Sequence, residues 1–325
     1  MDTQVFKEWA KEEGFADAGF CSIKDFAEEE QLVALQAELA ERRQLRFAPQ
    51  KDHPEAQSLA VLLWAYRPAS LPKGEKLFID SYYQASNAAY HAARALELRL
   101  VQSGIYAKAN VAYPAKKAAV RAGMGRIGKN SLLITPEYGT RVVIILMATD
   151  IPYQKDDEER KNTGCLNCGR CILACPVHAL DDQGMSHPES CLRNYMMEGN
   201  VAPQEYREKI GMRLLGCDVC QRVCPMQPQL PEAEEETLFC ADDFITDDGA
   251  LFSQNTAKLA KKTGKNAARP QRIRAQAALI AGNTGNPAYI PVLRHWAESE
   301  FESVRVHAGW ALQQIEQRCA ERDRT

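Results

Sequence analysis

Eight of the chain's eleven cysteines fall between Cys165 and Cys224, and their spacing constrains the fold more than any other feature. Cys165, Cys168, Cys171 and Cys175 follow C-x2-C-x2-C-x3-C, with Pro176 next. This is the bacterial ferredoxin run, in which three closely spaced thiolates hold corners of one cubane and the fourth, before proline, reaches another. Cys217, Cys220, Cys224 and Pro225 repeat the last three cysteines of that run, and Cys191 stands in for the missing first one. The cross-over rule gives two 4Fe–4S clusters, one on Cys165, Cys168, Cys171 and Cys224, the other on Cys191, Cys217, Cys220 and Cys175. Paired C-x2-C motifs also bind zinc. The two Cys-Pro terminators favour iron–sulfur. Cys21, Cys240 and Cys319 read as ordinary small packing residues.

Such a cysteine density would mean disulfides in a secreted chain. The start, MDTQVFKEWAKEEGF, lacks the apolar core of a secretory signal, so metal ligation in a cytoplasmic protein is expected. No apolar run approaches the ~20 residues of a membrane span. Forty basic against 43 acidic side chains give a net charge of −3, which excludes a globally basic nucleic-acid binder but not a local basic patch.

At 325 residues and 45% hydrophobic content, the chain has room for several domains. Residues 1–155 read as α/β. Helical spacing over 3–13 turns Val5, Trp9 and Ala10 to one face. Strands are expected over Ala16–Cys21, Ser58–Tyr66, Ser131–Ile134 and Arg141–Thr149, and helices over Phe26–Arg46 and Ile79–Gly104. Residues 156–228 hold the cysteines and too little apolar pattern for a large core, so bound metal would organise them. Residues 229–254 form an acidic, Pro-containing linker. Residues 255–325 look helical and weakly repetitive: Ile273-Arg274-Ala275-Gln276-Ala277-Ala278 resembles Val304-Arg305-Val306-His307-Ala308-Gly309-Trp310-Ala311 across a turn at Gly282–Pro287. That pattern resembles HEAT helical-pair repeats. The fold class expected is α+β, with an N-terminal α/β domain, a ferredoxin-like double-cluster domain and a C-terminal helical domain.

Two clusters form a one-electron relay, and a relay needs a terminus. The glycine-rich stretch Ala122-Gly123-Met124-Gly125-Arg126-Ile127-Gly128-Lys129-Asn130 is the most distinctive part of the first domain. Its glycines fit either close backbone approach to a bulky ligand or a tight turn. It lacks the G-x-G-x-x-G spacing of a dinucleotide fold, and no Walker A sequence occurs.

GMGRIGKNSLLITPEYG, then CLNCGRCILACP, a lone Cys191 and GCDVCQRVCP, is similar to the epoxyqueuosine reductase family, which is related to the reductive dehalogenases. The similarity runs over nearly the whole chain. It implies a cobalamin on the N-terminal domain beside one of two 4Fe–4S clusters, with Gly125, Gly128, Lys129 and Asn130 as cofactor contacts. The implied reaction is reduction of epoxyqueuosine in tRNA to queuosine, fed by a donor protein such as a flavodoxin or ferredoxin. In one segment the chain departs from the family. Where an Asp-x-x-Pro segment usually supplies a proton donor, Ala109–Lys117 carries no carboxylate. The family's Asp-Tyr-His has become Ala89-Tyr90-His91. Epoxide opening leaves an alkoxide that must be protonated, so Tyr113 and His91 become the candidate catalytic donors, with Lys116 another substitute for the Asp. Without the resemblance, His91 reads as an ordinary polar helix residue. The altered segment leaves room for a related corrinoid iron–sulfur reductase of a different small molecule, or for a corrinoid-reducing electron-transfer partner.

From Asn255 to Ala297 there are Lys258, Lys261, Lys262, Lys265, Arg269, Arg272, Arg274 and Arg294, and no acidic residue. This stretch suits either a solvated helix face or the phosphates of RNA, and the implied tRNA substrate favours the second.

Overall fold

The computed structural model describes residues 1–24, 26, 46–71, 74–153, 164–182, 184, 190–228, 230–233 and 239–322. The helix expected over Phe26–Arg46 lies almost wholly outside them. The chain divides into two compact units that are interleaved rather than consecutive. The first comprises Met1–Tyr66, Ala85–Cys168 and Pro225–Gln229; the second, Arg67–Gln84, Gly169–Cys224 and Leu230–Thr325. No helix among the described residues is long and apolar enough to cross a membrane.

The first unit is built on a four-stranded sheet ordered Asp17–Ser22, Ser58–Ala65, Val142–Thr149, Ala107–Ala109, each neighbour antiparallel. On one face Leu59, Val61 and Leu63 join Cys21, Met124, Leu133 and Leu146 and the small residues Ala118 and Ala119 of helix Ala115–Arg121. On the other, Phe20 meets Phe6 of helix Thr3–Glu12, ring centroids 4.9 Å apart. Cover on both faces is why Ser58–Ala65 is a continuous apolar run although its neighbours are antiparallel. Each fully buried leucine there contributes about 1.5–3 kcal/mol. The first helix buries Phe6 and Ala10, while Val5 is exposed, a rotation of about one residue from the expected face that follows from seating Phe6 on Phe20. The long helix is Ser81–Gln102, and Gly104 follows it with a φ of +78°. After Thr135 the chain turns at Gly139, where a Cβ would come within 2.6 Å of the Met226 carbonyl oxygen, so the returning Pro225–Gln229 segment requires glycine there.

In the second unit Phe78–Ile79 pairs in parallel with Arg213–Leu215. Four helices follow: Gly249–Thr263, Pro270–Thr284, Ile290–Trp296 and Glu302–Arg322. Asp248 caps the first by accepting from the amides of Ala250 and Leu251, and Pro270 opens the second. The second helix runs through the expected turn at Gly282 and ends only at Gly285, φ +67°. Gly282 is helical because its bare Cα lies against Trp310: a Cβ there would stand 2.6 Å from the indole. His307 ties these helices together. Its Nε2 accepts the Ala202 amide at 2.9 Å, and Nδ1 donates to the Ala275 carbonyl at 3.0 Å.

Part of the expected linker is core. Phe239, Ala241, Phe244 and Ile245 are buried in one cluster with Leu192, Met196, Ile210, Leu214 and the helical residues Ile273, Leu279 and Val304. Cys175, Cys191 and Cys217 pack against that same cluster. The cysteine-bearing segment therefore shares a large hydrophobic core instead of relying on metal alone.

Candidate metal centre and active site

Cys171 sits on the short helix Arg170–Ala174, Cys220 on Val219–Arg222, and Cys191 caps Leu192–Glu198. The backbone bends sharply between these ligands, with positive φ at Asn167, Gly169 and Gly216. Such bends aim amides at sulfur: Asn167 donates to Cys165 Sγ at 3.4 Å and Ala179 to Cys175 Sγ at 3.3 Å. Charge-assisted donors of this kind favour thiolates. Among the described residues no three His, Cys, Asp or Glu side chains converge on a single point, as ligands of one ion would. The Cys220 thiol is nonetheless raised first by burial and then by Cys217, Cys191, Cys175 and Cys171 around it. Burial likewise pushes Cys217 up to about 11, with Cys191 adding to it. Cys220 thus has Cys217, Cys191, Cys175 and Cys171 as electrostatic neighbours, and a set of cysteine sulfurs is the donor chemistry that iron–sulfur clusters take. The set expected for one cluster, Cys175, Cys191, Cys217 and Cys220, lies wholly in the second unit. Of the other set, Cys165 and Cys168 belong to the first unit and Cys171 and Cys224 to the second.

The glycine-rich stretch is a β-hairpin, Arg126–Ile127 against Leu133–Ile134. Its turn closes through Gly128 donating to the Leu132 carbonyl and Ser131 to that of Gly128. A Cβ on Gly125 would stand 2.5 Å from the Ile134 carbonyl oxygen, and one on Gly128 2.6 Å from the Ile134 side chain. Internal packing thus accounts for both glycines. Asn130 is different: it is buried, its Oδ1 accepts from Leu132, and its Nδ2 has no hydrogen-bond partner among the described residues. That orphan amide is the observation in this loop that fits an acceptor group on a bound cofactor. Lys129 beside it is half-buried.

The segment after strand Ala107–Ala109 adjoins this hairpin, because Lys116 Nζ donates to the Ser131 carbonyl at 2.6 Å. At its other end Asn110, with φ +59°, reaches the Tyr90 carbonyl at 3.4 Å. Tyr113 and the Tyr90-His91 pair thus flank one segment. His91 is exposed, edge-on to Tyr90. Tyr113 is buried, stacked near Phe26, and its hydroxyl donates to Asp52 Oδ2 at 2.9 Å. Burial raises its phenol well above the ordinary range, and the Asp52 carboxylate raises it further. Arg46 lies 3.6 Å from Asp52, and His53 Nδ1 is 2.9 Å from the Tyr106 hydroxyl. Sequence reasoning missed Asp52 and His53. They stand some sixty residues before Tyr113, at the end of the short helix Pro49–Asp52, and only the tertiary fold brings them to it.

The basic stretch divides. Lys258, Lys261, Lys265, Arg269 and Arg294 are exposed. Arg274, counted among the phosphate-facing residues, instead tucks its guanidinium over Phe252 at 4.6 Å and Trp296 at 5.8 Å, and burial lowers its pKa. Arg272 lays its side chain on Gly199 and donates to the Asn266 carbonyl. Helix phase explains the split, since three residues from Arg269 and five from it point to different neighbours.

The cysteine-bearing segment is a double-cluster iron–sulfur domain: the family of 4Fe-4S double cluster binding domains matches residues 164–227, and the chain spans 57% of the Lactococcus garvieae relative and 65% of the Bacillus cereus one. Epoxyqueuosine reductases from many species are its homologues, as the motifs led us to expect. The Lactococcus garvieae reductase is 30% identical over 207 residues, 61% of this chain and 57% of that protein. The Bacillus cereus one is 32% identical over 252 residues, 69% and 65%. The Vibrio cholerae one is 27% identical over 97% of this chain and 92% of its own length. A crystal structure of epoxyqueuosine reductase from Streptococcus thermophilus aligns over 97% of this chain and 90% of its own, with 22% identity and a TM-score of 0.76. One with an epoxyqueuosine-modified tRNA-Tyr stem loop aligns over 96% and 90%, with 24% identity and a TM-score of 0.78.

Proposed function

We propose that the chain is a cytoplasmic oxidoreductase that reduces the epoxide of epoxyqueuosine in tRNA to the alkene of queuosine. One observation carries the reading: eight cysteines in the order of two ferredoxin-type cubanes, six of them in one unit, in a chain homologous to epoxyqueuosine reductases. Two 4Fe–4S clusters, on the ligand sets given above, would pass electrons singly from a donor protein such as a flavodoxin or ferredoxin. Leu173, 83% exposed between Cys171 and Cys175, offers that donor an apolar contact beside the ligands.

Cobalamin would be held by the hairpin turn, with the Asn130 amide and Lys129 on its polar periphery and Gly125 and Gly128 shaping the turn. When bound it supplies a strongly reducing cobalt centre. The chain's own residues do the rest. Tyr113 holds the proton destined for the oxygen that leaves carbon, and His91, exposed on the neighbouring helix, is the second candidate donor. The C-terminal helices, HEAT-like in their paired repeats, present Lys258, Lys261, Lys265 and Arg269 to RNA phosphates.

The test is anaerobic reconstitution, then iron, sulfide and corrinoid analysis, then turnover of epoxyqueuosine-containing tRNA under a low-potential reductant. About eight irons and eight sulfides with queuosine formed are expected. Zinc without sulfide would end the relay reading. A protein that binds corrinoid yet leaves this RNA unchanged would move the assignment to a different substrate, for which the carboxylate-free Ala109–Lys117 segment is the motive.

A further inference from the structure

Outside the cysteines, Arg46, Asp52, His53, Tyr106 and Tyr113, all in the first unit, form a group of titratable side chains joined by short contacts. Its members come from four places in the sequence. Their connections are specific: Tyr113 hydroxyl to Asp52 Oδ2 at 2.9 Å, Asp52 Oδ1 to Arg46 at 3.6 Å, and His53 to the Tyr106 hydroxyl at 2.9 Å. The His53 ring stands edge-on to that of Tyr113, centroids 6.1 Å apart.

Access to water differs sharply along this line. Tyr113 is 4% exposed, whereas the Asp52 side chain is 24% exposed and Arg46 64%. The phenol is mostly enclosed, and its hydrogen-bond partner Asp52 is the neighbour that reaches water. Once it has given its proton up, it can be reloaded through that neighbour. His53 is occupied with Tyr106, and burial holds its imidazole on the neutral side.

We propose that Asp52 is the proton relay of this site, taking protons from solvent and passing them along its hydrogen bond to Tyr113. The proposal rests on the reductase reading and gives it the carboxylate that Ala109–Lys117 lacks. In the overall step two C–O bonds break and a C=C bond forms. The oxygen leaves as water after taking up two protons, and the two electrons come from a low-potential donor protein. Each proton that Tyr113 delivers is replaced through Asp52, which is reprotonated from water. Asp52 is thus a positioning and relay residue and does not itself touch substrate. Among the described residues, the groups that face the Tyr113 phenol are Asp52, Arg46, Tyr106 and His53, with the Phe26 ring stacked beside it. Burial and Asp52 both oppose ionisation of the phenol. A phenolate left by proton delivery is therefore driven to take a proton back, and Asp52 is the group bonded to it through which that proton can come.

Asp52→Asn keeps an acceptor for the Tyr113 hydroxyl but cannot carry a proton; Asp52→Glu can. In reconstituted enzyme with epoxyqueuosine-containing tRNA, the steady-state rate of Asp52→Asn should fall roughly 100-fold. Asp52→Glu should restore most of that rate, and in a Tyr113→Phe background Asp52→Asn should have no further effect. Independently of substrate, the 13Cζ signal of Tyr113, assigned by its loss in Tyr113→Phe, should shift as acid protonates Asp52, and that step should be missing in Asp52→Asn. A signal with the same acid step in both proteins overturns the pairing. Equal steady-state rates in wild type and Asp52→Asn overturn the relay and leave the reductase reading standing. A wild type that is reduced yet leaves the RNA unchanged overturns that reading, and the relay's role with it.

Discussion

His307 sits in the second unit's core as a neutral imidazole, 2% exposed, donating through Nδ1 to Ala275 and accepting from Ala202 through Nε2. Protonating Nε2 would turn an acceptor into a donor facing another donor. Burial accordingly pulls the imidazole down to about 4 from its ordinary 6.5, with the charge of Arg207 adding to the effect. In the unfolded chain the ring takes up a proton near its ordinary value, and in the folded chain it resists until about pH 4. Stability is therefore undiminished above pH 6.5, falls as pH drops through that window, and levels off below it. The full loss is about 3 kcal/mol, of which roughly 1.4 kcal/mol has been reached by pH 5.5. His307→Gln can replace part of the hydrogen bonding but cannot titrate. Hydrogen exchange of peptides from helices Pro270–Thr284 and Glu302–Arg322, read at pH 7.5 and 5.5, measures the opening free energy of this unit. The wild type should lose about 1.4 kcal/mol between those pH values beyond any loss in His307→Gln. Equal losses in the two proteins would refute the buried, neutral imidazole.

Three further outcomes are expected. Cys191→Ala should leave about four of the eight irons, with the surviving cluster that of Cys165, Cys168, Cys171 and Cys224, as iron analysis and EPR would show. Reversing Lys258, Lys261, Lys265 and Arg269 to Glu should weaken tRNA binding and flatten its salt dependence, the log–log slope falling by roughly one for each phosphate no longer neutralised, read by filter binding across a salt series. Arg274→Glu belongs to another class and should lower thermal stability, because it places a carboxylate against Phe252 and Trp296. Gly125→Ala should destabilise the first unit by about 1–3 kcal/mol in chemical denaturation, since its Cβ would stand 2.5 Å from the Ile134 carbonyl oxygen.

What was legible in the sequence follows from how far apart the cooperating residues stand. Cluster ligands must come at short fixed spacings, so Cys165–Cys175 and Cys217–Cys224 announce themselves. The strand Ser58–Ala65 did too, because cover on both faces leaves an unbroken apolar run. The Asp52–Tyr113 bond left no local mark, since tertiary register makes it. Charge content in 255–297 was plain, but its direction was not: Arg269 faces water and Arg274 faces two aromatic rings. The glycines of the hairpin were visible as a cluster, whereas their cause, the Ile134 backbone and side chain, became visible only once the strands were paired.

The interleaving of the two units sets an order of events during synthesis. Met1–Tyr66 leaves the ribosome first, yet its unit is not whole until Pro225–Gln229 has emerged. Phe78–Ile79 likewise waits for Arg213–Leu215 before it has a partner strand. For most of translation the nascent chain therefore carries two unfinished cores at once, a long exposure during which chaperones have something to hold. A stop codon after residue 155, where the composition first changes character, would not release a free-standing first domain: it would cut both units short.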